Sequence, residues 1–114
     1  KKNNHFYKEN LNSISGLKVM DSPGYANNNH WLSLLKVEEE IFGETCSSLI
    51  DRLRKKSIAV RPIWKLNHLQ KPYLKNQAYN IEKARDLVSQ TVCLPSSISL
   101  STEQMESVIK VINE

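Results

Sequence analysis

The segment Val60–Asn76, VRPIWKLNHLQKPYLKN, gathers the side chains best suited to recognition and reaction. It holds Arg61, whose backbone the following Pro62 restricts, the indole of Trp64, the Asn67–His68 pair, and Pro72–Tyr73. No apolar period of two or of 3.6 runs through it, so core packing does not account for its composition. His68 sits in a loop directly after a strand candidate and is flanked by Asn67 and Gln70, a setting where binding groups concentrate. An imidazole titrating near about 6.5 suits proton transfer or hydrogen bonding to a polar ligand. On spacing alone, a histidine that merely holds its own loop is the simpler expectation.

Other chemistries find little support. Three glycines build neither a G-x-G-x-x-G turn nor a Walker loop, and no serine stands in a G-x-S-x-G elbow. Glu38–Glu40 are adjacent, so they cannot converge on one substrate, and they read as a solvated turn. His5, near the first residues, and His30, at the start of a strand, read as surface or structural groups. Cys46 and Cys93 lie outside any C-x-x-C or Cys/His ligand spacing. They read as thiols of a reducing compartment, with a single disulfide between them as the alternative.

Several elements must position the loop. Phe6, Tyr7 and Leu11 predict an amphipathic helix over about 4–12, stopped by Gly16, and GLKVM (16–20) predicts a short strand. HWLSLLKV (30–37) predicts the strongest strand, with Leu32 and Leu34 on one face and Trp31, Leu35 and Val37 on the other. EEEIFGE reads as an exposed connection. Thr45 caps a helix over 46–56 with Leu49, Ile50 and Leu53 on one stripe, and IAVRPIW (58–64) reads as a strand that Pro62 confines to an edge, a bulge or an end. Asn80 suits the cap of a helix over 81–90 whose Ile81, Ala84, Leu87 and Val88 face inward; TVCLP comes next as a strand. Ser101 and Gln104 spell a capping box before Met105, Val108, Ile109 and Ile112 at helical spacing.

This order predicts an α+β fold: a small sheet of about three to four short strands covered by helices, in a single domain over 1–114. With 114 residues, 39% hydrophobic and 25% charged, the chain suits one domain with a modest core. No apolar run approaches the length of a membrane span, and the absence of an initiator Met suggests a start inside a longer protein. The net charge of +4 raises nucleic acid as a partner. The basic residues nevertheless read as mostly scattered, and the dense run RLRKK (52–56) reads as a solvated helix end complementing the helix dipole. Without an aromatic base-stacking strand, nucleic-acid binding stays a minor alternative.

Taken together, GLKVMDSPGYANNNHWLSLLKV, LIDRLRKKSIAVRPIWKLNHLQKPY and AYNIEKARDLVSQTVCLPSSISLSTEQMESVIKVI resemble the C-terminal domain of DegT/StrS-type aminotransferases. NHWL, RPIW…NHLQKPY and CLPSS, in that order, most resemble the branch making 4-amino-sugar nucleotides for bacillosamine or legionaminic acid. The resemblance implies the small C-terminal domain of a fold type I, cytoplasmic, homodimeric enzyme. Its N-terminal large domain would carry pyridoxal phosphate on a Schiff-base lysine. The substrate would be a nucleotide-linked 4-keto-6-deoxy sugar and the amino donor an amino acid, by family analogy glutamate. It places His68 near the reacting centre as the catalytic candidate, with Asn67, Trp64, Arg61 and Asn29 as candidate substrate contacts. For Trp64 the competing expectation is anchorage on the core, for Arg61 a surface carboxylate partner, and for Asn29, His30 and Trp31 strand initiation and packing. No lysine here stands in a context like the family's Schiff-base motif, Lys65 and Lys71 included. The chain alone is therefore expected to be inactive and to bind neither cofactor nor substrate appreciably. The rival expectation from another class is a freestanding small-ligand or protein interaction module without catalysis.

Overall fold

The computed structural model describes all 114 residues, Lys1–Glu114. Its elements run α1 (Lys2–Leu11), β1 (Leu17–Val19), β2 (Ser33–Val37), α2 (Glu39–Phe42), α3 (Cys46–Lys55), β3 (Arg61–Pro62), α4 (Glu82–Gln90), β4 (Thr91–Leu94) and α5 (Thr102–Ile112). Two single 3-10 turns, Asn67–Leu69 and Lys71–Tyr73, lie between β3 and α4. The four strands form one antiparallel sheet in the order β1-β2-β4-β3. This is the α+β architecture expected, with strands at the upper end of the expected number.

Register separates the two faces of the sheet. Leu17 and Val19 lie opposite Val37 and Leu35, while Ser33 and Leu35 lie opposite Leu94 and Val92. All of these are buried, whereas the alternating Lys18, Leu34, Lys36 and Cys93 are exposed or half-buried. The buried face receives Tyr7 and Leu11 of α1, Leu49, Ile50 and Leu53 of α3, and Met105, Val108, Val111 and Ile112 of α5 in one continuous core. Each of those helices lays down an apolar stripe because its hydrophobic residues recur at three- and four-residue spacing.

Local signals set the boundaries where they are strong. Thr45 Oγ1 accepts from the Ser48 amide at 3.0 Å and starts α3. Ser101 and Gln104 form both halves of the capping box, with bonds of 3.2 and 2.9 Å. Arg52 donates to Glu44 (2.6 Å from Nη2) and to the backbone carbonyl of Val111, tying α3 to the end of α5. Gly16 has φ +80°, and a Cβ there would stand 2.5 Å from the Phe42 nitrogen. The turn into β1 thus needs glycine for both conformation and room.

Five expectations need correction. The EEEIFGE connection contains a helical turn, α2, closed by Gly43 in the left-handed region. The second strand begins at Ser33 rather than His30, and His30 itself has φ +53°. Trp31 therefore does not join Leu35 and Val37 on the core face, and it is 69% exposed. The strand expected over 58–64 pairs only at Arg61–Pro62, because Pro62 has no N–H to extend the ladder. It does lie on the sheet edge, as its proline requires.

The fifth correction concerns α4. Asn80 does not cap it: Asn80 has φ +50°, Ile81 occupies the cap position, and no side chain caps the helix. Ile81, Ala84 and Val88 are only half-buried and Leu87 is exposed, so α4 contributes nothing to the core. None of the helices is long and apolar enough to cross a membrane.

Candidate functional site

Val60 is buried and Ile58 packs against the core, so the chain leaves the domain at a fixed point before Arg61. Beyond it, Arg61–Asn80 contain no buried residue. The loop is ordered by its own backbone. Amides of Leu69, Gln70, Tyr73 and Asn76 donate to the carbonyls of Leu66, Asn67, Gln70 and Tyr73 at 2.9–3.0 Å, a run of consecutive tight turns. Gln70 Nε2 adds a staple, donating to the Lys65 carbonyl at 3.0 Å and to Asn67 Oδ1 at 3.2 Å. Asn67 thus commits its carbonyl oxygen to the loop and keeps its amide donors.

His68 sits inside the first of these turns and is half-buried. Its Nε2 is shielded from solvent yet has no hydrogen-bond partner. A ring nitrogen so placed forfeits about 1–3 kcal/mol of hydration without compensation. Such an atom calls for an explanation, and a partner supplied by a ligand or another surface is one.

Trp64 does not anchor the loop on the core. It is 70% exposed and meets Trp31, with ring centroids 6.1 Å apart and planes inclined at 40°. The Trp31 side is fixed by two bonds: Asn29 Oδ1 accepts from the Trp31 amide at 3.0 Å, and Ser96 Oγ donates to the Trp31 carbonyl at 2.9 Å. Asn28 Oδ1 accepts from the His30 amide at 2.9 Å and holds the left-handed residue in place. Asn29, whose side-chain oxygen makes this turn, keeps only its amide donors exposed. Arg61 is exposed, lies beside Cys93 across the β3–β4 pair, and joins no carboxylate, which corrects the expectation of a surface ion pair.

The structure therefore brings Trp64 to Trp31 near Asn29, and Asn67 to His68 within one turn. For Trp31 the sequence set strand initiation and packing against substrate contact, and its 69% exposure removes the packing alternative. The only available signal was the run of three asparagines shortly before it, which favours turns over strand and so leaves the neighbouring indole in solvent.

Other reactive groups are quiet. Burial pushes the Cys46 thiol up to about 11 and raises Cys93 as well, so both stay protonated; both are free. No lysine is enclosed. Lys8 and Lys36 are half-buried and paired with Asp21 and Glu38, and the rest are exposed. The residues present here do not form a pocket for pyridoxal phosphate, which needs a desolvated lysine and a carboxylate on its ring nitrogen.

A family model described as the DegT/DnrJ/EryC1/StrS aminotransferase family matches residues 1–113. The chain belongs to that aminotransferase family. Among curated proteins it is 27% identical over 110 residues to EpsN of Bacillus subtilis (strain 168), whose name describes it as a pyridoxal phosphate-dependent aminotransferase. That alignment covers 93% of this chain and 28% of EpsN. The fold superposes on DesI, solved in the presence of its TDP-sugar product, with a TM-score of 0.87 and 19% identity, covering 97% of this chain and 29% of that one. The sugar aminotransferase CalS13 of Micromonospora echinospora gives a TM-score of 0.80 and 18% identity over 97% of this chain and 28% of its own. The chain thus spans between a quarter and a third of the length of these relatives.

Proposed function

We propose that residues 1–114 act as the C-terminal small domain of a pyridoxal phosphate-dependent aminotransferase. In this reading the enzyme aminates the 4-keto group of a nucleotide-linked 6-deoxy sugar, using an amino acid as donor. The observation that carries it is the family match over 1–113, together with the resemblance of the RPIW…NHLQKPY segment to the branch making 4-amino sugars. The relatives' much greater length supports a cofactor-bearing domain outside this chain, and the family resemblance supports a homodimer.

His68 carries the role nearest the chemistry. Its shielded, unpaired Nε2 would hydrogen-bond a substrate or cofactor oxygen and hold a proton there, while the Gln70 staple fixes the turn. Asn67 and Asn29 would offer amide donors to the sugar nucleotide, Trp64 an apolar face, and Arg61 a cation. Bound cofactor would supply the electron sink for amino transfer.

The test uses the protein joined to its cofactor-binding domain, supplied with glutamate and a UDP-linked 4-keto-6-deoxy sugar. Product should show the 4-amino group, and His68→Ala should lower kcat by about 100-fold or more. Absence of any amination, or stoichiometric attachment of pyridoxal phosphate to one lysine of the 114-residue chain, overturns the reading.

A further inference from the structure

The charges of this chain are segregated along its length. Eight of the 16 Lys and Arg residues, and none of the 12 Asp and Glu, fall between Arg52 and Ile81, so that stretch stands at +8 and the remainder at −4. Its helical half is partly neutralised: Arg52 pairs with Glu44 at 2.6 Å and Lys56 with Glu114 at 3.2 Å. The loop half is not. Arg61, Lys65, Lys71 and Lys75 are exposed and take part in no ion pair. The loop is a cationic strap with no acid to turn an anion away.

The strap also carries Trp64, and Trp64 lies on Trp31; these are the chain's two tryptophans. Two indoles at 69% and 70% exposure keep large apolar faces in water, which the fold's own packing does not require. Their centroids are 6.1 Å apart and their planes inclined at 40°, which leaves no room for a ring between them, while most of each indole stays open to solvent. A flat, apolar-faced ring is what such a surface accepts. Lys65 adjoins Trp64 in sequence, and Arg61 is three residues upstream, a backbone reach of about 10 Å. A neutral sugar would leave these cations unused, and an acidic peptide would leave the indoles without a planar partner.

We propose that Trp31 and Trp64 form a stacking platform for the base of a nucleotide whose phosphates are met by Arg61 and Lys65. The ligand class rests on the proposed function, in which the substrate is a nucleotide-linked sugar. The platform assigns the nucleotide end to these four residues and leaves the sugar end to His68. Stacking on an aromatic face tolerates any base, so the phosphates supply the charge selectivity and the indoles the adhesion.

The chain reports on itself, because its entire tryptophan emission comes from the platform. UDP, uridine and inorganic pyrophosphate are titrated separately into the 114-residue chain, with emission excited selectively at tryptophan. UDP should quench with saturation near about 1 mM, weak enough to agree with no appreciable retention at micromolar concentrations. Uridine should need about tenfold more, and pyrophosphate should leave the emission nearly unchanged. The double substitution Arg61→Ala/Lys65→Ala should bring UDP to the affinity of uridine, while Trp31→Phe should weaken UDP and uridine alike. All these side chains are exposed, and unchanged far-ultraviolet circular dichroism verifies that the variants fold.

Equal quenching by UDP and uridine, or indifference to the double substitution, overturns the platform. Binding of a single-stranded oligonucleotide about a hundredfold tighter than UDP also overturns it, in favour of a nucleic-acid surface. The titration needs neither cofactor nor turnover. Failure of amination with UDP quenching intact discards the aminotransferase reading alone, and the reverse pattern discards the platform alone.

Discussion

Two regions of the molecule obey opposite rules. In the sheet and its three covering helices, apolar residues recur at regular spacing and 17 of them merge into one buried cluster. In the strap from Arg61 to Asn80, nothing is buried, cations go unpaired, and Trp64, Tyr73 and Tyr79 stand in solvent. The first region directs its chemistry inward. The second holds its shape with backbone turns and one Gln70 staple, leaving its side chains free for something else. Substitutions in the first should register as stability and in the second as binding or activity, and three experiments press on that division.

The largest effect belongs to Leu35, which is fully buried at the centre of β2 and faces both Val19 and Val92 across the sheet. Leu35→Ala removes buried methyl groups and leaves a cavity that a closely packed sheet cannot fill. It should cost about 2–5 kcal/mol in urea unfolding. Trp64→Ala, at 70% exposure, should stay within about 0.5 kcal/mol of the parent in the same assay. A Trp64 cost approaching that of Leu35 would erase the division.

The contrast also explains which parts of the fold were legible in sequence. Thr45 and Ser101 announced α3 and α5 because a capping oxygen serves donors within its own first turn, an entirely local relation. Pro62 announced an edge, a bulge or a strand end because a missing N–H disfavours an interior ladder position, and the structure takes the edge. Asn80 misled because asparagine suits both a cap and the left-handed region, and here the backbone took the second option. The stripe Ile81–Ala84–Val88 has helical spacing like that of α5, yet its burial depends on what covers α4, which spacing does not encode.

At the site, legibility divided along the same line. The unusual composition of the loop was evident, and His68, Asn67, Trp64, Arg61 and Asn29 could be singled out. The Trp31–Trp64 contact was not, since it joins two loops 33 positions apart through tertiary structure. The charge segregation is countable in the sequence and corrects the reading of the basic residues as mostly scattered. It gains meaning only once Arg52 and Lys56 are seen to be neutralised and Arg61 and Lys65 are not.

A middle-sized effect sharpens the comparison through pH. Glu44 is held below the usual glutamate range chiefly by its hydrogen bonds to Arg52, with Ser48 Oγ donating a further bond at 2.9 Å. A carboxyl whose folded pKa is depressed contributes stability that is complete above its unfolded value, near about 4.3, and is lost as pH falls through the folded value. Unfolding free energy should therefore decline below about pH 5, with about 1–2 kcal/mol of the decline absent in Glu44→Gln. Asp21, Glu38 and Glu103 are shifted the same way, but they are more exposed and add little. An unchanged acid slope in Glu44→Gln would move the Arg52 cluster out of the self-directed half of the molecule.

The smallest effect on stability is the most informative about function. His68→Leu keeps an apolar side chain of similar bulk in the half-buried turn and removes the shielded, unpartnered Nε2. If that nitrogen awaits a partner from outside the chain, its loss should leave the midpoint of unfolding unchanged or raise stability by up to about 1 kcal/mol. Residues that hold a ligand commonly cost the fold a little stability, and the leucine would restore it. A drop of more than about 1 kcal/mol would mean that the imidazole holds the Asn67–Leu69 turn together. His68 would then belong with Thr45 and Ser101 among the groups that serve the fold, and the proton-holding role would pass to another side chain.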